Sequence, residues 1–141
     1  MNKKTVKTVE PIRLRVRYSE VDRMNYCYHV NYLQYFEIGR TEWLRQIWKS
    51  YKELEDDQIG MVVIEANLKY HHPAFYDDDL AITIICNEWG FSRINFLYEI
   101  RRHGEDSVLC SGSTRLCFVG KDKKPTRIPE ELKNVLDGNA E

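Results

Sequence analysis

The residues of this chain best suited to chemistry are a few carboxylates and histidines, and two of them are spaced in a useful way. Asp22 stands seven residues before His29, and a helical pattern begins just after His29. A carboxylate can take a proton from water or attack an electrophilic carbon itself. The N-terminus of a helix presents unpaired backbone N–H groups and a positive dipole end to a developing negative charge. A loop of this length can set the carboxylate across from the helix start. Taken alone, Asp22 reads first as a loop aspartate capping a turn. Glu20 would raise the pKa of Asp22 by like-charge repulsion if the two lay close, and otherwise reads as a solvated residue at the end of a strand. Glu37 lies three residues before Arg40, the spacing of an ion pair on a helix.

Other clusters point away from chemistry. His71 and His72 are adjacent, so on a strand they would face opposite sides, and no second group of ligands has suitable spacing; no metal site or cofactor is expected. Asp77, Asp78 and Asp79 lack the glycine and distal glutamate of a calcium loop and read as a solvated loop. Ser111 and Ser113 have no Gly-x-Ser-x-Gly setting, and no cysteine has an evident histidine partner, which disfavours a triad hydrolase. The four cysteines, Cys27, Cys86, Cys110 and Cys117, form no Cys-x-x-Cys pair and read as buried thiols in a reducing cytoplasm.

The elements that must position these residues follow from hydrophobic periodicity. From Ile12 to Tyr18 apolar residues alternate with Arg13, Arg15 and Arg17, the period of a half-buried strand. Between about Val30 and Tyr51, Leu33, Phe36, Arg40, Leu44, Ile47, Trp48 and Tyr51 recur at steps of three and four, with Tyr32, Tyr35 and Trp43 widening the stripe. The spacing predicts one long helix, with Asn31 and Gln34 resembling a capping box at its start. Alternation then marks strands over 61–70, 80–86, 94–100 and 108–118, separated by turn-forming segments around Pro73, Gly90 and Gly104. A short helix is expected from Glu130 to Leu136. One strand, a long helix and four strands joined mainly by short loops make an α+β fold, an antiparallel sheet with one helix on its inner face.

Length and composition fit one soluble domain. At 141 residues the chain can bury one core, and 43% hydrophobic with 12% aromatic residues is enough apolar surface to build it. Twenty-one basic residues against 22 acidic ones leave no basic excess to bind nucleic acid. No apolar run long enough to span a membrane is present, and the start of the chain lacks the core of a secretory signal. Residues 1–10 are polar and unpatterned and are expected to form a flexible tail ahead of a single domain over 11–141.

The segment Tyr18-Ser-Glu-Val-Asp22-Arg-Met-Asn25-Tyr-Cys-Tyr28-His29-Val-Asn31-Tyr32, continuing into Phe36-Glu37 and Arg40, resembles the 4-hydroxybenzoyl-CoA thioesterase family, in particular its YbgC-like acyl-CoA thioesterases. Pro73-Ala74-x-Tyr76-Asp77-Asp-Asp-Leu80 matches a second segment of the family, and the likeness covers most of residues 11 to 130. Asn25 departs from the glycine usual in the family, although asparagine tolerates a left-handed backbone. The resemblance implies a hotdog fold, a curved antiparallel sheet of about five strands wrapped around one long helix; physics alone would also permit a flatter sheet with the helix docked on it. It implies hydrolysis of acyl-CoA, a small-molecule substrate, with Asp22 as general base or nucleophile and the backbone amide of His29 polarising the thioester carbonyl. Tyr28, Tyr32 and Glu37 would then contact the acyl group, and Arg93, Arg101 and Arg102 the phosphates of coenzyme A. Acyl carrier protein is an alternative carrier, and a non-catalytic acyl-thioester binding module an alternative role. A homodimer or homotetramer is implied, with each site at a subunit interface.

Overall fold

The computed structural model describes residues 9–138. Eight elements follow in order: β1 (Ile12–Arg15), α1 (Asn31–Ile47), α2 (Tyr51–Asp56), β2 (Gly60–Tyr70), β3 (Asp79–Trp89), β4 (Arg93–Arg102), β5 (Val108–Val119) and α3 (Glu130–Leu136). The five strands form one antiparallel sheet in the order β1-β3-β4-β5-β2. Short loops join β3 to β4 and β4 to β5, as antiparallel neighbours allow. The chain reaches β2 only after α1 and α2, and β2 lies at the edge opposite β1.

The core lies between the inner face of the sheet and α1. Tyr32, Tyr35, Phe36, Gly39, Trp43 and Leu44 form one stripe of α1 at helical spacing, and all are buried. Beneath them are Leu80, Ile82, Ile84 and Cys86 of β3 and Ile94, Phe96, Tyr98 and Ile100 of β4, each 4% exposed or less. Trp43 meets Phe96 edge to face with ring centroids 5.0 Å apart, and Phe36 stacks on Tyr98 at 4.2 Å. Burying aromatic side chains of this size contributes about 2–3 kcal/mol each. Gly39 lets the helix settle directly onto Ile82 and Ile84. This is the hotdog architecture, the wrapped alternative to a flat sheet.

Several boundaries differ from those the periodicity predicts. The expected helix over residues 30–51 is two helices: α1 ends at Ile47, Trp48 leaves helical geometry, and the Ser50 side chain caps α2 by accepting from the Glu53 N–H at 3.2 Å. The apolar stripe runs through this break because Trp48 and Tyr51 pack on the same core, so hydrophobic spacing alone does not register it. Asn31 makes no capping box; its side-chain amide donates instead to the Glu20 carbonyl. The first strand stops at Arg15, and Tyr18–Glu20 form a 3-10 turn that breaks the alternation and leaves Tyr18 exposed. Residues 1–8 of the expected tail lie outside the described residues, and Val9 packs against the core.

The sheet has two unlike edges. β1 is four residues long and carries Arg13 and Arg15, tied to Asp79 and Asp77 of the neighbouring loop and strand. Arg13 holds the Asp79 carboxyl below its ordinary value, mainly through the hydrogen bond between them. β2 is eleven residues long and exposes Val62, Val63 and Ile64 at 47% each, with β5 on one side and an open edge on the other. Short charged edges resist pairing, whereas long apolar ones invite it.

One close approach sets a limit on the core. A methyl at Gly112 of β5 would collide with the Asn67 carbonyl of β2 and come within 2.7 Å of the Phe36 ring. Gly112→Ala should therefore lower stability by about 2 kcal/mol, as overpacking does, measured by urea denaturation; a midpoint equal to that of the unsubstituted protein would contradict this packing.

Candidate active site

Asp22 lies in a loop that folds back on itself. Val21 bridges Cys27 across it, Tyr26 bridges Phe75, and Asn25 at the tip takes φ 65°. Asparagine therefore supplies the left-handed residue that such a turn requires. The Asp22 carboxylate accepts from the Met24 N–H at 2.8 Å and the Tyr26 N–H at 3.2 Å, both through Oδ1. Oδ2 has no partner among the described residues, so one oxygen anchors the group and the other is available for chemistry.

The loop is closed onto α1 through Glu20. Expected as a solvated residue, Glu20 is only 6% exposed. Its carboxylate accepts from the Arg17 backbone N–H at 2.8 Å, the Arg17 guanidinium at 3.2 Å and the Tyr35 hydroxyl at 3.0 Å. Its backbone carbonyl accepts the Tyr28 N–H and the Asn31 side-chain amide, both at 2.8 Å. The 3-10 turn draws this carboxylate inward, and its hydrogen bonds offset the desolvation that burial costs.

The first turn of α1 is tightly wound. Asn31, Tyr32 and Leu33 donate to the carbonyls of Tyr28, His29 and Val30, three residues back in each case. The N–H groups of His29 and Val30 have no hydrogen-bond partner among the described residues, which leaves two donors at the positive end of the helix. His29 and Asp22 line one open cleft of about 290 Å³ together with Tyr26, Cys27, Tyr32, Tyr70, His71, His72 and Pro73. Burial raises the Cys27 thiol and the Tyr32 hydroxyl above their ordinary values, so both are neutral near pH 7.

Of the other expected residues, Tyr32 is in the cleft and buried, with its hydroxyl accepting the Ala74 N–H at 3.3 Å. Tyr28 is half-exposed and packs on the His29 ring at 4.6 Å. Glu37 is elsewhere, beside Arg40, Tyr51, Met61 and Leu116 in a gap between α1 and β2. Arg40 does not pair with it; the guanidinium donates to the Tyr98 hydroxyl at 3.2 Å. Arg102 is held by Asp78, the Pro73 carbonyl and the face of Phe75, and Arg101 by Glu99 and the Asp106 carbonyl. Arg93, at the other end of β4, is without an acidic partner among the described residues; eight strand residues lie between it and Arg102, a span of roughly 30 Å.

The three aspartates after Tyr76 are more than a solvated loop. Asp78 accepts the Phe75 N–H and the Arg102 guanidinium, Asp79 binds Arg13, and Asp77 takes φ 68°. Sequence reasoning also passed over Tyr70, His71 and His72 as cleft residues. His71 and His72 follow the end of β2, so the strand rule separating their side chains does not apply, and His71 Nε2 lies 2.9 Å from Ser111 Oγ. Among the described residues no group of three or more His, Cys, Asp or Glu is placed to hold a metal ion. No helix among them is long and apolar enough to cross a membrane.

Known proteins resemble this chain over nearly its whole length. The profile of the thioesterase-like superfamily matches residues 16–136. The acyl-CoA thioester hydrolase YbgC of Escherichia coli O6:H1 is 35% identical over 120 residues, which span 84% of this chain and 89% of the relative. YbgC of Haemophilus influenzae is 31% identical over 85% of this chain and 88% of its own. Among solved structures, a hypothetical protein from Aquifex aeolicus has TM-score 0.83 at 31% identity, covering 89% of this chain and 97% of that one. The DHNA-CoA thioesterase of Staphylococcus aureus has TM-score 0.86 at 25% identity, covering 92% and 89%. By the extent of these matches the chain belongs to the thioesterase-like superfamily, as a YbgC-like thioester hydrolase with the hotdog fold.

Proposed function

We propose that the chain hydrolyses acyl-CoA thioesters to the free acid and coenzyme A, with Asp22 and the His29 amide as the working pair. The observation that carries this reading is that Asp22, with one uncommitted carboxylate oxygen, and His29, whose backbone N–H is uncommitted at a helix start, line the same cleft. The names of the YbgC relatives support the substrate class.

The thioester carbonyl oxygen accepts the His29 N–H, which polarises the carbon. Asp22 then acts in one of two ways. As a base it takes a proton from water while the water oxygen bonds to the carbon. As a nucleophile it bonds to the carbon itself and forms an anhydride that water later cleaves. In both routes the C–S bond breaks, the thiolate of coenzyme A leaves with the electron pair, and the proton released from water ends on the thiol. Tyr32 and Tyr28 form the aromatic surroundings of the acyl group. Glu37 is proposed to face the acyl chain from the gap between α1 and β2.

Of the three arginines proposed for the phosphates of coenzyme A, Arg101 and Arg102 already have partners of their own, and Arg93, at the far end of β4, is the one without an acidic partner among the described residues. The open edge of β2 offers a surface for pairing with a second copy, which supports a homodimer or homotetramer with sites at the interface. A reducing cytoplasmic setting suits the four buried thiols, of which Cys86 and Cys110 are pushed up to about 12 by burial.

Two experiments test this reading. Asp22→Asn should lower kcat on acyl-CoA by about 10²–10⁴, the usual size of a general-base contribution, without shifting the melting temperature; an unchanged rate rejects the assignment. Sedimentation of the unsubstituted protein at micromolar concentration should give a dimer or tetramer, and a stable monomer contradicts the interface site.

A further inference from the structure

Tyr70, the last residue of β2, has its side chain at the helix start. Its hydroxyl donates to the His29 carbonyl at 3.2 Å, and its ring packs edge-on against His29 with centroids 6.1 Å apart and against Tyr32 at 5.4 Å. Tyr70 also lines the cleft that holds Asp22.

We infer that Tyr70 is a positioning residue for a second oxyanion donor, the Val30 N–H, acting through the His29 carbonyl; this rests on the reading of the site given above. A peptide group is planar, so whatever holds its carbonyl also fixes the direction of the N–H on its other side. The peptide held by Tyr70 joins His29 to Val30. Its carbonyl accepts the Tyr70 hydroxyl and, at 3.4 Å, the Tyr32 N–H, while its own N–H, that of Val30, has no partner among the described residues. A carbonyl that accepts hydrogen bonds also makes its N–H a stronger donor, because the bonds polarise one another. Tyr70 thereby holds the plane of this peptide, and with it the direction of the Val30 N–H.

The arrangement ties the site to the sheet edge. The segment leading into α1 supplies the donors and β2 holds one of them, the Val30 N–H, in direction, and β2 is the strand whose open side is proposed to meet a second copy. An ordinary phenol is already protonated across the neutral range, and partial burial moves the Tyr70 hydroxyl further up, so it is able to donate there.

The test is Tyr70→Phe, which keeps the ring and removes the donor. Steady-state kinetics on one acyl-CoA should show kcat reduced by about fivefold to tenfold, the effect of losing one hydrogen bond, with KM within twofold and the melting temperature unchanged. A purely structural tyrosine would shift the melting temperature and leave kcat of the folded enzyme intact, and one that merely contacts substrate would raise KM alone. Either outcome overturns the inference. Asp22→Asn, measured in parallel, separates the two levels of the argument. If Asp22→Asn is inactive and Tyr70→Phe matches the unsubstituted enzyme, the role of Tyr70 falls alone; if Asp22→Asn retains its rate, both readings fall.

Discussion

The candidate site depends on a buried carboxylate that is not itself in the cleft. Glu20 collects three hydrogen bonds on its side chain and two on its carbonyl, and its partners come from both ends of the segment that carries Asp22. Arg17 lies before that segment; Tyr28, Asn31 and Tyr35 lie after it. With Glu20 in place, the chain from residue 21 to 27 must close as a loop, and Asp22 must stand beside the start of α1. A carboxyl group in this position is tolerated because three hydrogen bonds replace bonds it loses to water. Removing one donor would leave a buried carboxylate short of partners, which costs more than the bond itself is worth.

The remainder of the molecule holds the two sides of this loop still. The stripe of α1 from Tyr32 to Leu44 is fixed on β3 and β4, and the loop before β3 is fixed by Asp78 and Arg102. Arg102 illustrates how one residue type serves different ends: expected at a phosphate, it binds the Pro73 carbonyl and covers Phe75, whose neighbours line the cleft. Through the Pro73 carbonyl it holds one residue of the cleft lining.

Much of the fold was legible because the inner face of the sheet and the core stripe of α1 are strongly periodic. Strands β2 to β5 and α3 fall within a few residues of their expected bounds; in β3 the alternation is set by burial on one face, whereas in β2 the alternating apolar residues are largely exposed. The break at Trp48 escaped notice because hydrophobic spacing persists through it, and the cap at Ser50 is a local signal weaker than the stripe. The burial of Glu20 was illegible for a different reason: a 3-10 turn resets the side-chain direction, and the partners that make burial tolerable are up to 15 residues away in sequence. Asp22 and His29 could be paired on spacing and family likeness, whereas Tyr70 could not, because its contact with the helix start bridges 41 positions. Glu37 follows helical spacing correctly and still lies apart from Asp22, since a helix 17 residues long serves more than one cleft.

The central claim is that an acyl thioester carbonyl binds between Asp22 and the first turn of α1. The most direct measurement is a crystal structure of the protein with an acyl-CoA analogue in which a methylene group replaces the thioester sulfur, so that the ketone cannot be hydrolysed. The account predicts the ketone oxygen within hydrogen-bonding distance of the His29 N–H, about 3 Å, and the Asp22 carboxylate facing the carbonyl carbon. A ketone lodged instead in the gap beside Glu37 and Arg40, away from Asp22, would contradict it.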